Sequence, residues 1–431
     1  MRPWILIVAV LGAVAGTSWT QAAAPPAPKE QPPARRVIVD ASLGRHIGVV
    51  SAIGSDEILY FDESGRPRTI QRADVLVILP RIRAAATSAE DPGPLTSADA
   101  ALDLIELVNG ELLPGQWTAP KVAGETIDWK SPLLGDLTLK LDDVRRIKRG
   151  GKSPAAPAAT PAPAGDARQD TVTLTNGDVL SGFVDSIGDL VRIDVRGKTR
   201  DIDRSLVSEI LLAGQGTPTA APGSRTPGSA KAPTQMVWLT DGTSVLAENL
   251  ISVGSTLSSI TILRQGKTIE VSLAALDSWA PDRSRVIGLA GITPSKQTPV
   301  GDRSWAARIE SGDRAVPLTA ADLLLPGPMV VEWPLPAGAT RLSMDAELPA
   351  ASRVWGDCVL IVEIVGTTTR EIARERLSDA RPLAMMNLPL SQAGSKPQAL
   401  TLRLTLDPGE RGPIQDRVVL RQPLLLLGDA K

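Results

Sequence analysis

Trp355, with Arg353 and Asp357 two residues to either side, and the segment Asp407-Pro-Gly-Glu410-Arg411 bring an aromatic ring, carboxylates and guanidinium groups into turn-rich sequence. Side chains of these types hold sugars: the ring stacks on the apolar face of a pyranose while charged groups pair with its hydroxyls in a shallow cleft. Asp407 has a second reading, as a turn residue that caps its own backbone. Other chemistries find less support. Cys358 is the only cysteine and precedes Val-Leu-Ile-Val, which reads as a buried core thiol and leaves no disulfide, cysteine-rich zinc site or redox pair. A Ser-His-Asp triad would have to use His46, the only histidine, and no nucleophile elbow accompanies it. Asp142-Asp143 has no identifiable partner carboxylate at glycosidase separation, and no phosphate loop, HExxH or DxDxDG motif occurs. The chain is therefore expected to be non-catalytic and to need no cofactor, with a structural calcium ion left open.

The 431 residues are 43% hydrophobic, enough for three or more cored domains, and a formal net charge of −2 gives electrostatics no reason to favour nucleic acid or an anionic membrane. Residues 1–24 show Arg2, an apolar run from Trp4 to Val14 and then small residues, the three regions of a secretory signal peptide. That run is shorter than the roughly 20 residues a spanning helix needs, and no later stretch approaches that length. The mature chain is expected to be exported, periplasmic or extracellular, without a transmembrane segment. Its expected partners are glycan or envelope proteins and not nucleic acid.

The elements that position the candidate residues begin with a repeat. Asn176-Gly177 sits between alternating apolar residues, Val172 and Leu174 before it and Val179 after it, and predicts a hairpin with a two-residue turn. Gly182, five residues on, predicts a bend in the second strand, Gly197-Lys198 turns the chain again, and Val207 to Leu212 closes the unit. Five strands in about 42 residues suggest a half-open barrel of SH3-like or Sm-like type. The triplet Ile202, Val207, Ile210 returns at the same offsets as Ile70, Val75, Ile78, as Leu139, Val144, Ile147 and as Val271, Leu276, Trp279. Turn glycines Gly44, Gly110 and Gly242 stand upstream of these three as Gly177 does of the first.

Four tandem repeats result, at 37–80, 104–149, 170–213 and 236–280. A proline-rich spacer covers 25–36, and linkers cover 84–101, 150–169 and 214–234. A unit this small buries too little surface alone, so neighbours are expected to pack or to share edge strands, in pairs. The basic run Arg145 to Arg149 reads as a solvated strand edge in preference to a patch for an acidic partner. The units resemble short β repeats found in series in exported proteins of bacterial envelopes. That resemblance implies architecture and no activity.

A connector at 281–300 leads to a second region, 301–429. Its candidate strands are 329–333, 341–347, 358–365, 371–376, 383–388, 400–406 and 418–427, which argue a β-sandwich of jelly-roll type. Trp333 and Trp305 are read as core residues. The runs Thr340-Arg-Leu-Ser-Met-Asp-Ala-Glu-Leu, Trp355-Gly-Asp-Cys-Val-Leu-Ile-Val-Glu-Ile and Leu402-Arg-Leu-Thr-Leu-Asp-Pro-Gly-Glu-Arg-Gly-Pro-Ile-Gln-Asp are similar, in order and spacing, to the novel putative carbohydrate-binding module, NPCBM. The family's Gly-Ile-Gly-x-His segment is replaced by Leu325-Pro-Gly-Pro-Met-Val-Val, and its late Asp-His-x-x-Trp survives only as Asp416. The resemblance implies a galactose-binding-like jelly roll that recognises glycan through its loops. The alternative is a structural or adaptor protein of the envelope that binds other proteins through its repeats.

Overall fold

The computed structural model describes residues 35–80, 102–118, 126–150, 169–213, 235–253, 259–264, 266–301, 308–311, 318, 321–390, 400–410, 412 and 414–428. The signal peptide, nearly all of the spacer and of the three linkers, Trp305 and Arg411 lie outside the described residues. What is described is all β, with only short 3-10 turns between strands.

Repeat three shows the plan: strands Asp170–Leu174, Val179–Ile187, Leu190–Val195 and Lys198–Asp203, a 3-10 turn Arg204–Leu206, and the closing strand Val207–Leu211. The first turn differs from the expected one. The Leu174 N–H donates to the Asp178 carbonyl and the Gly177 N–H to the Leu174 carbonyl, and Gly177 alone is left-handed at φ +90°. This is a three-residue loop with glycine at the left-handed position, which splays the strands less than an ordinary turn. The same bonds recur from Leu107 to Glu111 and from Leu239 to Thr243. In repeat one Leu43, at φ +63°, takes the strained position in place of Gly44. There Asp40 compensates, its Oδ1 accepting from the N–H groups of Ser42 and Gly44 at 2.8 and 2.9 Å. The later turn of repeat three is centred on Arg196-Gly197, both left-handed, one residue earlier than the sequence reading.

Gly182 marks the point where the second strand leaves one ladder for the next: up to that residue it pairs with the first strand, and from Phe183 with the third. A Cβ there would collide with the Asp194 carbonyl, as one at Gly115 would with Lys130 and one at Gly48 with Phe61. The five-residue step in the aliphatic triplet also has a cause. It spans a three-residue 3-10 turn (Arg72–Asp74, Leu141–Asp143, Arg204–Leu206 and Leu273–Ala275) that brings the fourth strand round to the fifth.

The expectation that neighbouring repeats pair is met by two and three and corrected for one and four, as the fifth strands show. Val75–Pro80 pairs antiparallel with Leu276–Ala280, Ile78 opposite Trp279, and Val144–Lys148 pairs with Val207–Leu211, Ile147 opposite Ile210. The last triplet residue of each repeat meets its counterpart, so each pair has a local two-fold at that contact. Repeat one joins four and repeat two joins three, a nested arrangement. The pairs then meet where Leu112 lies opposite Ser244, which makes one network of 18 strands whose buried aliphatic residues form one connected core. The unit of about 42 residues leaves its closing edge and one apolar face bare, and a partner repeat covers both.

The strand Val144–Lys148 is consequently no solvated edge: it is paired on both sides, with Arg145 bound to Glu106 and Arg146 to Glu209 of repeat three. Arg72, in the 3-10 turn of repeat one, donates to the Leu250 carbonyl at 2.8 Å and lies 4.8 Å over the Trp279 ring of repeat four. Arg204, at the same place in repeat three, donates to the Trp117 carbonyl of repeat two and lies 5.6 Å over that ring. Repeats two and four carry Leu141 and Leu273 at this place, packed against the core. Between repeats two and four, buried Glu111 accepts from Arg264 at 2.9 Å and from the Leu246 N–H at 2.7 Å.

The C-terminal region is a β-sandwich. One sheet runs Glu310–Ser311, Leu323–Leu325, Val418–Leu427, Ala339–Glu347, Leu383–Pro389, and Val286–Gly288 also pairs with Val418–Leu427. The other runs Lys296–Pro299, Met329–Pro334, Thr401–Pro408, Asp357–Val365, Thr369–Ser378. All seven expected strands are present, their ends within two residues of the expected ones. The segment 281–300, read as a connector, supplies one strand to each sheet. Between the sheets lie Met329, Val331, Trp333, Leu342, Leu360, Val362, Leu404 and their neighbours.

The sandwich is seated on repeat one. Val37, Val39, Leu76 and Leu79 face outward from that repeat and pack with Val286 and Leu424. Arg45 binds Asp345 at 2.8 Å, and the Gln422 side-chain amide donates to the Pro80 carbonyl. Repeats two and three carry Glu106, Arg146 and Lys148, and Thr171, Thr173 and Glu209, along the same strands, which is why the sandwich has a single seat. Trp279→Ala is expected to cost about 3–5 kcal/mol. Glu111→Gln, which leaves Arg264 buried beside a neutral amide, should cost about 3–5 kcal/mol. Urea denaturation followed by strand circular dichroism checks both, and a cost below about 1 kcal/mol for either would show that the repeats do not lean on one another there.

Candidate functional site

The sandwich presents two neighbouring loops, one before the strand Asp357–Val365 and one after the strand Thr401–Pro408. The first begins with the 3-10 turn Ala350–Ser352 and ends at Gly356, whose N–H donates to the Ser352 carbonyl at 2.8 Å. A Cβ on Gly356 would press on that same carbonyl and sit 3.1 Å from the Gln415 carbonyl of the second loop, so only glycine permits this approach. The second loop is knit by its own backbone. Gly412 donates to Gly409, Ile414 to Gly412 and Arg417 to Gln415, with Gly412 and Gln415 left-handed.

Asp357 ties the loops together. Its N–H donates to Asp416 Oδ1 at 3.1 Å, and its carbonyl accepts from the Gly409 N–H at 2.7 Å. Both oxygens of its buried carboxylate are engaged by Arg376, Nε at 2.8 Å and Nη2 at 2.9 Å, and the same Nη2 reaches Glu410 at 3.4 Å. The Asp357 hydrogen bond first, then the nearby Asp357 and Glu410 charges, raise the Arg376 pKa further above its ordinary value, so this bridge stays cationic. The bidentate geometry fixes the plane of the guanidinium as well as its place.

The six residues proposed from sequence separate accordingly. Trp355 is 57% exposed, beside exposed Val354, and exposed Ile414 stands on the second loop. The Glu410 side chain is 85% exposed. These two side chains are available to a ligand. Asp357 is spent on Arg376 and holds the loops together, so its reading as a direct ligand group is corrected. Arg353 donates to the Leu348 carbonyl at 3.1 Å and binds Glu347 at 3.5 Å, which pins the base of the first loop. Asp407 belongs to the strand Thr401–Pro408, opposite Val359, and so the loop begins only at Gly409. Arg411 lies outside the described residues. Sequence reasoning missed Arg376, which stands on the neighbouring strand. Its only signal was outward alternation in a run with charged neighbours.

Trp333 is buried in the sandwich core. Cys358 is buried too, and its thiol is pushed up to about 12 by burial, with the Asp416 and Asp357 carboxylates adding to the effect. Among the described residues no group of three or more His, Cys, Asp or Glu side chains gathers as a metal site, and no helix is long and apolar enough to cross a membrane. Since the thiolate is the reactive form, Cys358 in the folded chain is expected to resist a disulfide reagent at pH 8 and to react fully in denaturant. Rapid stoichiometric labelling of the native protein would contradict its burial.

No family model and no curated protein matches the chain. Among solved structures it is similar to the CBM51 from Clostridium perfringens GH95 in complex with methyl-galactose, at 7% identity over 32% of this chain and 99% of that one, with a TM-score of 0.24. It is similar to the CBM22-1 xylan-binding domain from Paenibacillus barcinonensis Xyn10C, at 12% identity over 34% of this chain and 94% of that one, TM-score 0.23. A third is the pair of tandem CBM51 modules of a family 98 glycoside hydrolase from Streptococcus pneumoniae, at 9% identity over 60% of this chain and 88% of that one, TM-score 0.26.

Proposed function

We propose that this chain is an exported, non-catalytic protein that recognises glycan through the paired loops bearing Trp355 and Glu410. The observation that carries the reading is the exposure of Trp355 on a loop braced from beneath by Asp357, Arg376 and Gly356. A large apolar ring held in water on a rigid support is costly unless something covers it, and a pyranose face is the surface such a ring fits. Glu410, on the neighbouring loop, accepts hydrogen bonds from sugar hydroxyls, its carboxylate held by Arg376. The resemblance of 340–416 to NPCBM sequences supports the same reading, and the signal-like residues 1–24 support export.

A glycan array and polysaccharide pull-down on the full chain test it. Trp355→Ala should weaken retention about tenfold or more with the fold kept, because stacking and burial together contribute over 1 kcal/mol. Absence of any ligand at millimolar sugar overturns the proposal.

A second reading, as an envelope adaptor, rests on repeat three. It exposes Val179, Phe183, Leu190, Leu206 and Leu211, with Phe183 at 62%. Crosslinking of the full chain in envelope extracts should then lose a defined partner in Phe183→Ser and keep it in Trp355→Ala.

A further inference from the structure

The only histidine and the only tyrosine of the chain meet on repeat one. His46 on the second strand, Tyr60 and Asp62 on the third, and Arg68 on the fourth line a surface hollow of about 380 Å³, with Ile47 beside them. The Tyr60 ring lies over Gly48, the residue opposite Asp62 on the second strand, where a Cβ would lie 2.7 Å from the ring. The two rings are 6.2 Å apart, centroid to centroid.

Two aspartates prepare the walls by the same device. Asp40 Oδ1 accepts from the Ser42 N–H, the Ser42 hydroxyl and the Gly44 N–H, at 2.8, 2.6 and 2.9 Å, and its Oδ2 is 2.8 Å from His46 Nε2. Asp62 Oδ1 accepts from the Ser64 N–H, the Ser64 hydroxyl and the Arg66 N–H, at 3.0, 2.6 and 2.9 Å, and its Oδ2 accepts from Arg68 Nε at 3.0 Å. In both cases the offsets are two, four and six residues. Burial works against the charge on Asp40, but bonds from Ser42, His46 and Gly44 outweigh it and hold the carboxyl below its ordinary range. Asp62 is held well below that range by the Ser64 hydroxyl and the Arg66 N–H.

The consequence is a separation of roles. Each carboxylate is engaged by its own turn through Oδ1 and by one basic group through Oδ2, so both serve as anchors. What remains for a ligand is led by donors, the two terminal nitrogens of Arg68 and the Tyr60 hydroxyl, while the His46 ring, whose Nε2 lies against Asp40, forms the adjoining wall. A guanidinium fork fixed through Nε is the geometry that grips a carboxylate with two parallel bonds. We propose that the hollow binds a carboxylate group, with Arg68 as the fork and with Tyr60 and His46 as flanking contacts. An acidic sugar and the C-terminal end of a peptide both carry this chemistry.

Because each ring is unique in the chain, selectively labelled histidine and tyrosine give single-residue NMR signals from the full-length protein. Galacturonate and N-acetylglycine are the carboxylate probes, and galactose and N-acetylglycinamide are their neutral counterparts. Saturable shifts of both rings are expected with at least one carboxylate below about 20 mM, and none with the neutral pair. The probe that saturates first identifies the source. Arg68→Gln should weaken binding about tenfold or more, since it removes a charge-assisted bond, and Tyr60→Phe should weaken it less. Arg68 is more than half exposed, so the variant folds, and unchanged strand circular dichroism verifies this. Silence of both rings toward both acids, equal response to the neutral compounds, or undiminished binding in Arg68→Gln overturns the proposal.

Discussion

The contact between fifth strands is the constraint on which the rest of this molecule depends. A five-stranded unit of about 42 residues has one aliphatic side and one hydrogen-bonding edge that it cannot cover itself. Ile78 against Trp279 and Ile147 against Ile210 cover both at once, since an antiparallel ladder between equivalent strands satisfies the backbone while it buries the last triplet residue of each partner. The arginines of the 3-10 turns then lock each pair from one side only. Arg72 and Arg204 reach across, and Leu141 and Leu273 stay in the core. The halves of each pair are thus alike in backbone and distinct in chemistry.

That constraint passes outward to the sandwich. Strands Arg36–Asp40 and Val75–Pro80 are buried on both sides, one face in the repeat core and the other beneath the sandwich, and they read as continuous apolar runs, Val-Ile-Val and Val-Leu-Val-Ile-Leu. Repeats two and three alternate on the same strands because water covers one of their faces. The loops with Trp355 and Glu410 are carried on a sandwich that is itself fixed to repeat one by Arg45, Gln422 and the shared apolar seat, so their geometry rests on three layers of packing.

The strands were legible in the sequence because alternation and turn glycines are local signals. The seven sandwich strands and the five-strand plan of repeat three could be read off directly. The association of the repeats could not, since Ile147 facing Ile210 looks in the sequence like any other buried isoleucine, and nothing local says which repeat it meets. The same limit governed the candidate site. Trp355 and Glu410 were visible as types, but the duty of Asp357 depends on Arg376, which register places beside it and sequence distance hides. Arg353 and Asp407 were drawn in by proximity along the chain, whereas the structure gives one to the base of a loop and the other to a strand. Gly44 shows a subtler limit: the turn glycine was recognised, yet Leu43 bears the left-handed angle because Asp40 supplies the compensating bonds.

Nesting has a temporal side. The two inner repeats are neighbours in the chain and can close on each other soon after both emerge during synthesis, whereas the first must wait for the fourth, some 200 residues later (Ile78 to Trp279). Through that interval repeat one exposes a bare closing strand and an apolar flank that will later carry the sandwich, the kind of surface that recruits chaperones or pairs wrongly with another nascent chain. Assembly from the middle outward follows, with the C-terminal sandwich seated on a platform whose last piece is made just before it.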